Sequence, residues 1–369
     1  MKTNRIMSLA LLAALSAPPL GAEPAPSGRI AFVATTDFAS GSATEIRLSV
    51  APGLSEVNPD VAPTSGDPVA VFSGGALFVI HRGFAGAKAN TIDRIDRSTF
   101  AVTKTLGTGP NPQDLERDSD TLFVSVLEDP KGMQLCSLSA GSCSGSIDVC
   151  AGQPAGPGGG CGAAEILRDG NTLYVLLGLF GSGFSVVRSG AVAVVDIPSK
   201  TRRKVLGLKT RNPSNLARLS DGKLLVTSSG SFFPNELSGG VEVVDPASGA
   251  SEIVLDDDLL RGNVSDLVLL DDLAAYVTVT DPTSFVPRVV RFVPALARLG
   301  VPIWQAAYAS ATFFIGDIAA DGAGNVLVAD TVNLAAPRVV RLQGTTGLVL
   351  DSFSSGSLAP VSIATYPAP

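Results

Sequence analysis

Histidine is almost missing from this sequence: His81 is the only one. Copper, di-iron and zinc centres built from several imidazoles are therefore excluded. A Ser-His-Asp triad would have to use His81, and no G-x-S-x-G nucleophile elbow accompanies it. His81 follows the apolar run 76–80 and reads as a loop residue. The Gly-rich stretch 156–162 lacks both the lysine and the strand-to-helix setting of a phosphate loop. Basic residues are outnumbered, 27 Lys+Arg against 34 Asp+Glu, for a net charge of −7. Phosphate backbones and anionic membranes are poor partners for such a surface, so no nucleic acid is expected. Beyond the N-terminus no apolar run reaches the ~18 residues of a membrane helix.

Cysteine is scarce and confined. Cys136, Cys143, Cys150 and Cys161 fall in one segment with the spacing C-x6-C-x6-C-x10-C. The close pairs of a zinc site and the C-x-x-C-H of an attached haem are both absent. Two local disulfides are expected, among three connectivities, with Cys136–Cys143 and Cys150–Cys161 preferred. The loop 151–162 has no apolar core of its own, and a bridge there would reduce its entropy.

At the N-terminus, Lys2 and Arg5 precede an apolar stretch over 6–15, and Leu20-Gly21-Ala22 offers small residues before Glu23. This is the pattern of a cleaved secretory signal over 1–22, which places the mature chain outside the cytoplasm, secreted or periplasmic. Its removal takes two positive charges and leaves 25 Lys+Arg against 34 Asp+Glu, a balance of −9. No membrane insertion is expected after cleavage. Charged residues are only 17% and the mean hydropathy is +0.33. Sheets buried on both faces need such long apolar runs.

What the sequence has in abundance is repetition. An apolar residue, a few polar ones, a tight turn and a strand ending in a small or hydroxylated residue recur seven times. With Val69, Leu115, Ile166, Leu216, Leu267, Ile318 and Ile363 as equivalents, the steps are 46, 51, 50, 51, 51 and 45 residues. A period near 40–50 residues with four strand-sized segments predicts a β-propeller of seven four-stranded antiparallel blades. The turns Asp169-Gly170-Asn171 and Asp221-Gly222 suit tight reversals. The last copy is split: 361–367 reads as a first strand with no room for a second, and 29–35 as a second strand with no first. Pairing them closes the ring without an open edge. The expected organisation is a signal over 1–22, a short segment over 23–28 and one propeller over 29–369.

Asn212-Pro213-Ser214-Asn215-Leu216, running on to Leu225-Val226-Thr227 and 240–245, resembles a YVTN repeat, and DGAGNVLVAD at 321–330 resembles an NHL or SMP-30 repeat. The resemblance covers the whole mature chain and implies the propeller fold, which carries lactonases, binding scaffolds and assembly factors alike. SMP-30-like lactonases bind a catalytic metal on the axis through a Glu, Asn and Asp set. Their P-N-G-[LI] phrase is not reproduced, since the matching places read Pro213-Ser214-Asn215-Leu216 and Pro112-Gln113-Asp114-Leu115.

One column of the stacked repeats differs from the rest. The residue before each equivalent position is Pro68, Asp114, Glu165, Asn215, Asp266, Asp317 and Ser362. Asp114, Glu165, Asn215, Asp266 and Asp317 thus place oxygen atoms at one level of the innermost strands, near a mouth of the central channel. Oxygen ligands from several elements would suit Ca²⁺; without a cation the acids repel one another, and some pKa values rise. The longer loops carry Phe38, Phe84, Phe180, Phe184, Phe232, Phe233 and Phe285 and form a candidate binding rim on the same face. No catalytic residue is assigned. The expected function is a monomeric scaffold that binds a small molecule or a protein through this face. A Ca²⁺-dependent lactonase or esterase is the alternative, and a purely structural cell-envelope propeller the second. Asn263-Val264-Ser265 fits a glycosylation sequon.

Overall fold

The structure is a computed structural model in which residues 26–83, 86–232, 235–294, 298–306, 316–331 and 336–368 are described. The expected signal over 1–22 lies outside these residues. Seven four-stranded antiparallel sheets follow one another along the chain. Blade 1 is built from Pro68–Ser73, Ala76–His81, Thr91–Ile95 and Val102–Gly107, in that order from the inside outward. Blades 2 to 6 begin with the inner strands Pro112–Asp118, Ala163–Asp169, Pro213–Arg218, Asn263–Asp271 and Ile318–Ala320. In blade 7 the inner strand Ala359–Pro367 comes from the C-terminal end and pairs with Pro26–Thr36, with Val33 opposite Ile363 and Arg29 opposite Pro367. The ring closes as the split repeat predicts.

The second strand of each blade is buried on both faces, which explains its apolar run; Ala76–His81 is buried at every position. Between blades 1 and 2, Phe78 and Ile80 pack with Leu115, Leu122 and Val124, and equivalent clusters lie between the later blades. Each such side chain contributes about 1.5–3 kcal/mol on full burial. The core is thus a series of inter-blade layers around a polar axis.

Both preferred disulfides are present, Cys136–Cys143 and Cys150–Cys161. The first joins the outer two strands of blade 2 at facing positions, and the second holds the connection from blade 2 to blade 3.

Candidate functional site in the central channel

The oxygen-bearing column sits on irregularities of the innermost strands. The pairing slips between Pro112 and Asp114, between Ala163 and Ile166, between Pro213 and Asn215, and between Val264 and Leu267. A β-bulge inserts one residue and re-aims its side chain. The backbone N–H groups freed at Asp114 and Asp266 bond to the hydroxyls of Ser125 and Thr278, each at 3.0 Å. The hydroxylated residue that ends the repeated phrase therefore satisfies the bulge. Blade 1, with Pro68 in the column, has no bulge in its inner pair.

The re-aimed side chains stitch neighbouring blades. Asp114 accepts the N–H of Ile166 at 2.8 Å, Asp266 that of Ile318 at 2.7 Å, and Asp317 that of Ile363 at 2.6 Å. Asp114 and Asp266 also accept the N–H of the next residue in their own strands, at 2.7 and 2.8 Å. Asn215 donates to Asp266 at 2.8 Å, and the Ser362 hydroxyl accepts the N–H of Ala70 at 3.1 Å.

Glu165 breaks the series. Among the described residues nothing hydrogen-bonds its carboxyl, although it occupies the same column. It is one methylene longer than aspartate. It lines two cavities of about 400 Å³ each, which meet at the ring of Glu165, Asn215, Asp317 and Ser362. The cavity toward the strand entries adds Arg82, Ser214, Ser265 and Asp266; the one toward the short turns adds Asp114 and Glu116.

The carboxyls are open only to the lumen and otherwise walled by protein, and this controls their charge. Burial pushes Asp114 up to about 7, opposed by the bond from Ile166 and helped by the charge of Glu116. Burial raises Glu165 well above the usual carboxylate range, and the charges of Asp114, Asp266 and Glu116 add to it. Burial also raises Asp317 strongly, reinforced by Asp266, to whose carboxylate protonated Asp317 donates. Asp266 is raised by burial too, against the bonds it accepts from Asp317, Ile318 and Leu267. Like charges enclosed together disfavour each other's ionisation.

Glu116 is a channel residue that the repeat column does not contain. It accepts a bond from the Ser73 hydroxyl at 2.6 Å, and burial raises its pKa. It lies two residues after Asp114 on the same strand, so period-two alternation could have found it.

The donor set does not fit Ca²⁺. The oxygens of Asp114 and Asp266 are taken by N–H donors, whereas the ion needs about six to eight oxygen ligands. Among the described residues no three His, Cys, Asp or Glu side chains come together to hold a metal.

Of the seven rim phenylalanines, the side chains of Phe38, Phe180, Phe184 and Phe285 are described. Phe38 and Phe184 are 58% and 41% exposed, while Phe180 and Phe285 are half-buried. Phe180 meets Phe184 edge-on, with ring centroids 6.0 Å apart. Phe84, Phe233 and the side chain of Phe232 lie outside the described residues. None of the others lines either channel cavity.

Two sequence readings are corrected. His81 is not a loop residue: it ends the second strand of blade 1, fully buried, with Nδ1 2.7 Å from the Ser65 hydroxyl and Nε2 3.0 Å from Asp93. Burial acts to raise Asp93, but bonds from His81, Thr105 and Lys88 outweigh it and hold the carboxyl well below its usual range. The sequon asparagine, Asn263, is also fully buried and donates to the Ser229 carbonyl at 2.8 Å, so no glycan fits there.

No protein-family model matches the chain. No curated protein matches it either. Solved structures do. The periplasmic gluconolactonase PpgL of Pseudomonas aeruginosa aligns with a TM-score of 0.62 at 19% identity, over 92% of this chain and 99% of that one. Hydrazine synthase of Kuenenia stuttgartiensis aligns at 0.57 and 13% identity, over 90% and 99%. AztD of Citrobacter koseri aligns at 0.53 and 13% identity, over 92% and 97%. At these identities the likeness shows the propeller fold. The NHL, YVTN and SMP-30 resemblance stays at that level.

Proposed function

We propose that this is an exported binding propeller that takes a small polyhydroxylated molecule into the entry-side mouth of its channel, with Glu165 as the principal contact. The observation that carries this reading is the Glu165 carboxyl, walled by protein and left without a protein partner where the two cavities meet. The carboxyl faces the lumen, so a ligand hydroxyl entering the channel can hydrogen-bond it directly. Arg82, Ser214, Asn215, Ser265 and Ser362 surround it with donors and acceptors. Carboxyls kept protonated by burial donate, and ionised neighbours accept, so the ring suits hydroxyls that do both. Export rests on the N-terminal pattern and the two disulfides.

A second reading, hydrolysis of a lactone or ester, draws support from Asp114. A carboxyl at about 7 exchanges protons readily near neutral pH, and a gluconolactonase shares the fold. One experiment addresses both. Calorimetry with 1,5-anhydroglucitol, which cannot be hydrolysed, should show saturable binding that Glu165→Ala weakens tenfold or more. Turnover of gluconolactone with chelator present, lost in Asp114→Asn, would establish the second reading. Absence of both binding and turnover at millimolar ligand would leave only the structural ring.

A further inference from the structure

On the opposite face, among the short turns where the first and last strands meet, lies a cavity of about 350 Å³. Its wall holds three guanidinium groups, those of Arg29, Arg47 and Arg97, and the carboxylate of Glu45, with the Glu56 carboxylate 3.8 Å from Arg47 Nη1. In a chain of net charge −7, this is a local reversal of sign.

Each arginine is held in place by a different contact. Arg29 lies flat over Gly322, where a Cβ would come within 2.3–2.6 Å of its Nε, Cζ and Cδ atoms. The φ of +73° at Gly322 favours glycine there. Arg47 donates from Nε to Glu45 at 2.9 Å, and Glu45 is itself 2% exposed. Arg97 sits over the rings of Phe72 and Tyr366, at 5.7 and 5.9 Å from their centroids, and those rings stack on each other at 5.1 Å. It has no carboxylate partner among the described residues. Part of the ordering cost, that of Arg97 on its aromatic stack, is met within the fold, which favours capture of a small ion. Guanidinium groups also match the planar oxygens of carboxylate and phosphate two bonds at a time.

We propose that this cavity binds a small organic anion, a carboxylate or a phosphate monoester. Its acidic group lies between Arg29, Arg47 and Arg97, and its apolar part meets Ile30 and Ala368. The site is separate from the channel and does not rest on the reading given for it. Because the guanidinium groups come from blade 7 and from the outer turn of blade 1, a bound anion also ties the closing blade to its neighbour.

Phenyl phosphate and benzoate are the probes, titrated by calorimetry at low and at raised ionic strength. At least one should bind saturably at one site per chain and more weakly in salt. Arg97→Gln and, separately, Arg47→Gln should each weaken it tenfold or more. Arg47 is largely exposed, so its variant gives an answer if loss of Arg97 from the aromatic stack prevents folding. Glu165→Gln should leave this binding unchanged. The proposal is overturned if neither probe saturates, or if affinity survives both arginine substitutions. It is equally overturned if removing residues 368–369 tightens binding tenfold, which would assign the cavity to the chain's own end.

Discussion

Glu165 and Arg341 are both ionisable side chains enclosed by protein, and their surroundings treat them in opposite ways. Arg341 is 1% exposed and bonds Asp321 through Nε at 2.8 Å and Nη2 at 2.6 Å, with Nη1 on the Ser49 carbonyl at 2.6 Å. Burial acts to raise Asp321, but bonds from Asn325, Ala323 and Arg341 prevail and lower it. Removing one partner of a buried pair leaves the other charge stranded, so Arg341→Gln should cost about 3–5 kcal/mol, read as a lower urea midpoint. Glu165 has no such compensation. Its folded pKa lies above the unfolded value, so the folded state binds the extra proton and the group destabilises increasingly as pH rises from about 4. Asp114 acts in the same direction up to about 7. Glu165→Gln, which loses no protein bond, should raise Tm at pH 8 by about 2 °C or more and leave it nearly unchanged at pH 4. A fall in Tm at pH 8 would contradict this account. The repeat column located Asp114, Glu165, Asn215, Asp266 and Asp317, because their spacing is visible in one dimension. That Asp114, Asp266 and Asp317 bond the next blade while Glu165 does not depends on the distance between strands, which spacing does not contain.

At the scale of single elements, turns were legible and bulges were not. Gly170-Asn171 lies between Ala163–Asp169 and Thr172–Leu177, as its composition predicts. A bulge adds one residue to one strand of a pair, and repeat steps ranging from 45 to 51 conceal it. His81 shows the same limit: its place at a strand end comes from pairing with Pro68 and Thr91, which its own sequence position does not reveal. The connection over 151–162, whose lack of an apolar core predicts a staple, carries the Cys150–Cys161 bridge. There Gly158 and Gly160 lie so close to the backbone of 127–129 that a Cβ at either would come within 2.5 Å of a carbonyl oxygen. Replacing Cys150 and Cys161 together by Ala should cost about 2–4 kcal/mol. The loss should appear as faster hydrogen exchange in 149–162 before the rest of the ring. Uniform loss of protection in all seven blades would show instead that this connection unfolds only with the whole.

For the whole molecule the question is what holds the ring shut. Along the axis the carboxylate bonds join blade 2 to 3, 4 to 5, 5 to 6 and 6 to 7, and Ser362 joins 7 to 1. Blade 7 alone is assembled from both chain ends. Its central pairing runs from Arg29 opposite Pro367 to Thr36 opposite Ala359, and the Ala368 N–H bonds the Gly28 carbonyl at 2.6 Å. Deleting 359–368 removes the inner strand and leaves the edge of Pro26–Thr36 exposed, together with the apolar layers beside it. Cooperative unfolding should then be lost. If the requirement is closure, and not these particular termini, the split can be moved. The adjacent ends allow a short Gly/Ser linker, and Gly183 offers a break in the long loop of blade 3, where a Cβ would meet nothing within 4 Å. The permutant, closed through blade 3, should unfold in one transition with a Tm within a few degrees of the parent. A permutant that fails to fold would locate essential information in blade 7 itself, while a deletion variant that melts like the parent would show that six blades and an open edge suffice.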